Sequence, residues 1–470
     1  MGFHRPAAGR KIGGNTLKRF GLILNKLFSI TCAIVAVIIF VSVANCLLIL
    51  RVWSDGGKTD MGKPRYASLL ILPTLPEDKA PRLIDRFGDS IGMREIAPTD
   101  RYFEYAGVIH VHTRYSDGGG TYNEVASIAD SLGLDFIIPS DHNTLAPLAD
   151  GWARRVGNIL VIPAVEHSTD HEAGHFLAIG DNLSLVRSRS VSSDSVYHET
   201  LRKGNMIFLA HVFHPHLPWK NWNIDGYTGI EIFNLNENWR HNIHLFRINR
   251  LVASTLVYPF RDDALNYIIM FPGKQLELFD ELNENRKVVA IGSTDAHSKR
   301  IFPGDFKSGI PSYVSIFKIV QTVIITRTPF DGRYKHDRDI VLKALRFGSS
   351  YIGFPCYGDV RGFYFTASSD STEITCGDSL YTKKDVQLHI ELPDSLNVTV
   401  QVVLNGNMIK EAVNTRTVNI TVDKQGAYRV QVFRDRVMLP FFQERHFPWI
   451  LSNPIYISKG DMISPIASLK

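Results

Sequence analysis

Five short stretches of the chain end apolar runs with side chains that hold divalent metal ions. The first is His110-Val-His112-Thr-Arg-Tyr-Ser-Asp117-Gly118. Residues i and i+2 of a strand share a face, so His110 and His112 are expected side by side. Asp117 follows in a glycine-rich loop that could turn it back toward them. In the second stretch, Ser140-Asp141-His142-Asn143, Asp141 is either a ligand or a group that fixes its surroundings. The third is Glu166, ending LVIPAVE, with His175 opening HFLAIG; a hairpin between these runs would bring the two together. The fourth is His211, ending MIFLAH, with His214 and His216 in the loop beyond. The fifth, Ser293-Thr-Asp295-Ala-His297, is a second i, i+2 pair at a run's end.

A lone histidine in an apolar run is more often a hydrogen-bonded core residue, and a terminal Asp more often a cap or turn residue. Those bland readings would have to hold independently at five run ends. His110, His112, His142, His175, His211 and His297 with Asp117, Glu166 and Asp295 make six imidazoles and three carboxylates, more than the three protein ligands of one catalytic zinc. Nitrogen and oxygen donors without thiolates suit Mn, Fe or Zn. The inventory fits two or three clustered divalent ions, with a carboxylate such as Glu166 as their natural bridge. Such a cluster lowers the pKa of bound water and clamps the attacking and leaving oxygens of a displacement, so hydrolysis is the implied reaction class. The chain has neither a cofactor-binding glycine fingerprint nor a Gly-x-Ser-x-Gly nucleophile elbow.

The elements that must position these residues are legible from Tyr102 onward. Apolar runs at 108–112, 135–142, 160–166, 175–180, 206–211, 229–233 and 288–294 read as strands. Between the first two, residues 121–133 place Val125, Ile128, Ala129 and Leu132 on one helical face, with Thr121 as N-cap and Gly133 as stop. Further helices are expected over 194–203 and 340–347. Alternating strands and helices indicate an α/β domain, and parallel α/β folds gather their sites at the carboxyl ends of strands. Seven runs favour a small, irregular barrel. After Phe363 the texture changes to period-two strands at 386–392, 398–405, 417–422, 427–434 and 454–458, which reads as a β-sandwich.

The N-terminus is different. Residues 1–26 carry six Lys or Arg and no acid, so the rest of the chain is near neutral against a net charge of +5; that gives no footprint for nucleic acid. An uncharged apolar run follows over 27–50, long enough as a helix for the roughly 30 Å of a bilayer core. It is expected to anchor the chain in the lipid bilayer as a single span, and the basic tail ahead of it favours an extracytoplasmic catalytic domain. Cys356 and Cys376, in the exported part, could pair or remain two small buried thiols.

The motif set His110-x-His112-Thr-x-x-Ser-Asp117-Gly, Ser-Asp141-His142-Asn, Glu166, Leu-Ala-His211 and Gly292-Ser-Thr-Asp295-Ala-His297 resembles the polymerase and histidinol phosphatase (PHP) superfamily. The resemblance implies an irregular seven-stranded (β/α) barrel with a di- or trinuclear metal site that hydrolyses a small phosphate ester. It assigns His110, His112, Glu166 and Asp295 to one ion, Asp117, His142 and His297 to a second, and Glu166, His175 and His211 to a third. Metal-bound hydroxide would be the nucleophile, Glu166 the bridge, and His297 or His142 an aid to leaving-group protonation. Where the family has His-Pro directly, this chain has His211-Val-Phe-His214-Pro, so either histidine could be the ligand. Residues 426–456, with Pro448-Trp449 and Ser452-Asn453-Pro454, are similar to the carbaryl-hydrolase-like metallohydrolase branch, whose activity is on a carbamate ester. Hydrolysis of a carboxylic or carbamate ester is therefore the second expectation. The third, a non-catalytic binding protein that keeps the fold, would show missing ligands, yet every expected position is filled. Arg114 and Lys299 are candidates for gripping phosphate. The expected organisation is a basic tail (1–26), anchor (27–50), linker (51–100), barrel (101–355), β-sandwich (360–458) and tail (459–470).

Overall fold

The computed structural model describes residues 102–168, 174–184, 193–243, 250, 254, 262–299, 311–438 and 443–460. The basic tail, the apolar run 27–50 and the linker lie outside the described residues. Among the described residues no helix is long and apolar enough to cross a membrane.

The chain folds as mixed α/β. It begins with β1 (Phe103–Val111), α1 (Tyr122–Ser131) and β2 (Phe136–Pro139). Then come α2 (Ala146–Ala149), β3 (Arg154–Val156), β4 (Ile159–Val161), β5 (Val165–His167), β6 (Phe176–Ile179) and α3 (Ser193–Arg202). Next are β7 (Met206–Leu209), β8 (Gly229–Asn234), α4 (Leu235–His241), α5 (Gly273–Asn285) and β9 (Val289–Ser293). Each expected apolar run contains a strand, and the run 160–166 is broken at Pro163 into β4 and β5. These strands are covered on both faces, which is why they read as continuous apolar runs rather than alternations; all four residues of β2, β6 and β7 are buried.

The hydrogen bonds follow a closed circuit. Strand β1 runs parallel to β2, and β2 parallel to β4. Beyond Pro163, the amide of Ala164 donates to Pro139 O at 2.7 Å and that of Asn143 to Glu166 O at 3.0 Å. Strands β5, β6 and β7 are antiparallel neighbours, and β7, β8 and β9 are parallel. The circuit returns to β1 through Thr294 N–H to Ile109 O at 3.1 Å and His112 N–H to Ala296 O at 2.9 Å. Helix α1 begins where expected, in a reciprocal capping box between Thr121 and Glu124, and Gly133 beyond its end adopts a left-handed φ of 66°.

The sequence continues through α6 (Tyr313–Phe317), β10 (Gln321–Thr326), α7 (Tyr334–Phe347) and β11 (Ser350–Gly353). Helix α7 starts six residues before the expected 340, because its first turn carries polar residues around the buried Asp337 rather than an apolar stripe. Ten further strands are β12 (Tyr364–Ser369), β13 (Thr372–Thr375), β14 (Ser379–Tyr381), β15 (Val386–Glu391), β16 (Val398–Leu404), β17 (Asn407–Val413), β18 (Thr417–Val422), β19 (Gly426–Met438), β20 (Gln443–Ser452) and β21 (Ile455–Ser458). The hairpin β16–β17 turns at Asn405-Gly406, both left-handed as that dipeptide favours. Strands β13, β12, β15 and β18 form a four-stranded sheet. The others do not form an isolated layer: β20 pairs with β11, through Tyr351 to Ser452 and Gly353 to Ile450, and so joins the sheet containing β10 and β1. Cys356 and Cys376 are free thiols.

Candidate metal centre

Strand β1 does not deliver its histidines by plain alternation. His110 has φ of 63°, and the β1–β2 register shifts between Ile109 and Val111. This bulge turns both imidazoles into one space, His110 Nε2 lying 3.1 Å from His112 Nε2. Glu166, from β5, places Oε2 3.1 Å from each of those nitrogens. Asp295, just past β9 and also left-handed (φ 48°), puts Oδ1 3.2 Å from His112 Nε2 and 3.5 Å from His110 Nε2. Four donors about 2.0–2.1 Å from a central ion in a tetrahedron are about 3.3–3.4 Å apart, so these spacings have the size of a metal site.

Two further groups share the same carboxylate. Asp117 Oδ1 lies 3.2 Å from His297 Nε2, 3.6 Å from His112 Nδ1 and 3.8 Å from His142 Nε2. His142 Nδ1 reaches back to within 3.1 Å of Glu166 Oε2. The other Glu166 oxygen, Oε1, is 2.8 Å from His175 Nδ1 and 3.2 Å from His211 Nε2. The hairpin expected of Glu166 and His175 is present as the β5–β6 pairing. All nine residues singled out in the sequence thus converge. His112 also faces the Asp117 group, and His142 lies between that group and Glu166.

The donor set fits an ion. Glu166 Oε2 is buried with three imidazole nitrogens at 3.1 Å, yet it lacks a hydrogen-bond partner, as do His142 Nδ1 and His211 Nδ1. Unpaired buried acceptors of this kind are costly unless a cation satisfies them. The electrostatics agree. Burial opposes charge on His110, but Glu166, Asp295 and Glu231 together raise its pKa well above the usual value. Burial likewise opposes charge on His112, but the facing carboxylates of Asp295 and Glu166 raise its pKa to about 9. Against their own burial, Glu166 and Asp295 are held well below the carboxylate range by the facing imidazoles. The site calls for positive charge.

Of the two histidines after β7, His211 reaches the cluster. His214 Nδ1 instead accepts the backbone N–H groups of His216 (3.2 Å) and Leu217 (3.0 Å). Its proton therefore sits on Nε2, and burial lowers its pKa to about 4. Asp141 is not at the cluster. It accepts from Thr113 N–H (2.8 Å), the Thr113 hydroxyl (2.8 Å) and the Ser116 hydroxyl (2.6 Å), and so holds the loop that carries Asp117. Lys299 Nζ meets Asp117 Oδ2 at 2.9 Å, whereas Arg114 turns to Gly119 O and Glu124.

Sequence reasoning missed three supports. Glu231, fully buried in β8, accepts from His110 Nδ1 at 2.7 Å, the His211 amide at 2.6 Å and Asn234 Nδ2 at 2.8 Å. Its signal was a single acid inside the otherwise apolar run GIEIF. Asn236 Nδ2 donates to Asp295 Oδ2 at 3.0 Å. The Tyr313 hydroxyl lies 2.8 Å from His112 O and 3.1 Å from His297 O; only its position after the site loops could have suggested this.

No protein-family model and no curated protein matches the chain. Solved structures do. A two-domain protein containing a predicted PHP-like metal-dependent phosphoesterase, from Bacteroides vulgatus, is 15% identical with a TM-score of 0.34; the match covers 77% of this chain and 100% of that one. A putative metal-dependent phosphoesterase from Bifidobacterium adolescentis is 14% identical with a TM-score of 0.26, covering 41% and 88%. An amidohydrolase from Chromobacterium violaceum, with bound sulfate and no metal, is 14% identical with a TM-score of 0.24, covering 43% and 89%. At these levels the functional reading rests on the residues themselves.

Proposed function

We propose that this chain is a membrane-anchored, metal-dependent hydrolase of phosphate esters, with two or three divalent ions (Mn, Fe or Zn) held in an irregular seven-stranded barrel of the PHP type. One observation carries the reading: both oxygens of the buried Glu166 face imidazole nitrogens, three about Oε2 and two about Oε1. A carboxylate so surrounded would be able to hold a cation at each oxygen together with the imidazoles facing it. Ions bound there would acidify a coordinated water and neutralise charge developing on the ester.

The chain's own residues do the rest. His110 Nδ1–H donates a hydrogen bond to Glu231, which leaves Nε2 as the lone pair that would face an ion. His297 Nδ1 is 2.9 Å from Asp295 O, which likewise frees its Nε2 toward Asp117. His297 is thereby cast as a ligand rather than a proton donor. His214 lines the same cavity with a proton fixed on Nε2, and it or His142 is placed to hydrogen-bond the leaving oxygen. The apolar run 27–50 and the basic tail support a single span with the catalytic domain outside the cytoplasm.

The test uses full-length protein in detergent, loaded with Mn²⁺, beside Asp295→Ala. Release of p-nitrophenol from phosphate esters, lost in the variant, is the expected result. Turnover of a carboxylic or carbamate ester alone would replace the substrate class. No turnover by folded, metal-loaded protein would favour a binding protein.

A further inference from the structure

A cavity of about 480 Å³ opens over the cluster, and its lining is of two kinds. One is the metal-competent set already described, with polar neighbours such as Asn236 and Arg240. The other is the apolar set Leu217, Leu235, Trp239, Leu265, Ile268 and Ile316. Leu235, Leu265, Ile268 and Ile316 are buried members of the main hydrophobic core, and Trp239 packs against it. This wall is therefore an outcrop of the core, built before any ligand arrives.

The polar groups beside the wall are largely committed. The Asn236 amide donates to Asp295, and the Thr294 hydroxyl lies 2.9 Å from His110 O. His214 Nδ1 is held by two backbone amides. A sugar or nucleoside hydroxyl laid against the side chains of Leu235, Leu265 and Ile268 would find no partner on them to replace water, which costs about 1–3 kcal/mol for each group left unpaired. Among the described lining residues Arg240 and Lys299 carry a permanent positive charge, and Lys299 is already paired with Asp117.

Resting on the phosphate-ester reading, we infer that the substrate is the monophosphate of a bulky apolar alcohol, aromatic or branched aliphatic, whose organic group lies on the Leu235–Trp239–Leu265–Ile268 wall. In the reaction, the oxygen of water bonds to phosphorus and the bond from phosphorus to the alcohol oxygen breaks. One water proton goes to the departing alcohol, and the products are the free alcohol and inorganic phosphate.

The test compares three phosphates of primary alcohols, so that leaving-group reactivity is closely similar: 2-phenylethyl phosphate, glycerol 3-phosphate and glucose 6-phosphate. Full-length, Mn²⁺-loaded protein is used. Burying roughly 100 Å² of apolar surface corresponds to about 50-fold in kcat/KM, and 2-phenylethyl phosphate is expected to lead by about that factor. Trp239→Ala and Leu265→Asp should each shrink the ratio about tenfold. A second readout needs no turnover: by calorimetry, 3-phenylpropylphosphonate should bind about 50-fold tighter than methylphosphonate. Equal kcat/KM for all three esters, or preference for the glycerol or sugar ester, would overturn this inference and leave the phosphate-ester reading standing. Hydrolysis of none of the phosphates would overturn that reading, and this inference with it.

Discussion

Glu231 holds His110 by its Nδ1 at 2.7 Å, in a place where neither side chain touches solvent. The pair fixes the tautomer that turns His110 Nε2 toward Glu166, Asp295 and His112. Its other oxygen takes the amide of His211, so one carboxylate orients residues at two ends of the cluster.

Glu231→Gln keeps the volume but removes the charge opposite His110. Metal affinity is expected to fall about 10- to 100-fold, the usual cost of losing such a partner. Competition with a chelator measures it, and an unchanged affinity would show that Glu231 only fills space.

His211→Ala and His214→Ala separate the two histidines after β7. The first removes an imidazole 3.2 Å from Glu166 and is expected to lower metal content by about one ion per chain. The second leaves the donor set intact and should retain full metal content while slowing turnover. Elemental analysis of the purified variants distinguishes them; the reverse result would make His214 the ligand.

These two cases show what the sequence could convey. The ligand candidates were visible because they lie at either end of an apolar run or in the loop just beyond it, where a buried strand yields to a polar site. The choice between His211 and His214 was not visible, since it depends on how the loop after β7 folds back to place two amides on His214. The bulge at His110 was hidden for the same reason: no local residue type demands it, and it arises from β1 pairing with β2 below and meeting Ala296 beyond. The pairing of β20 with β11 spans about a hundred residues, a distance over which a period-two pattern gives no register. Glu231 was written plainly in the sequence, but its partner lies 121 residues away.

Glu104 offers a pH test away from the metals. Its carboxylate accepts from Gly362 N–H at 2.7 Å and the Tyr351 hydroxyl at 2.8 Å, yet burial dominates and raises its pKa to about 7. A carboxyl that titrates higher folded than unfolded contributes its stability in full below the unfolded value of about 4.5. That contribution is lost as pH rises toward 7, and the loss is complete above it. Glu104→Gln should flatten this segment, removing a decline of about 1–3 kcal/mol between pH 5 and 8 relative to the parent. Denaturant melts of both proteins at the two pH values decide it; parallel slopes would place the Glu104 pKa at its ordinary value.

Arg429 on β19 and Asp280 on α5 form a two-point ion pair, with both nitrogen–oxygen distances 2.7 Å and Arg429 almost fully buried. Asp280→Ala strands the guanidinium and is expected to cost about 3–5 kcal/mol in unfolding free energy. A loss below 1 kcal/mol would mean that the C-terminal strands do not brace the metal-bearing part. Truncation after residue 355 should likewise yield insoluble protein, because β11 then loses its partner strand β20.

Asn453, buried in the turn before β21, accepts the amide of Ala290 at 2.7 Å and donates to Ala290 O at 2.9 Å, while its Nδ2 also reaches Ser350. Ala290 belongs to β9, the strand that leads into Asp295. A residue 163 positions further along the chain than Ala290 thus finishes the strand that aims a metal ligand. Asn453→Ala, though it keeps all nine donors, is therefore expected to retain less metal than the parent after dialysis against a chelator, and equal retention would show that β9 is aimed without it. Metal uptake is thus expected to report completed folding, because the strand behind Asp295 is finished only once the C-terminal strands have docked.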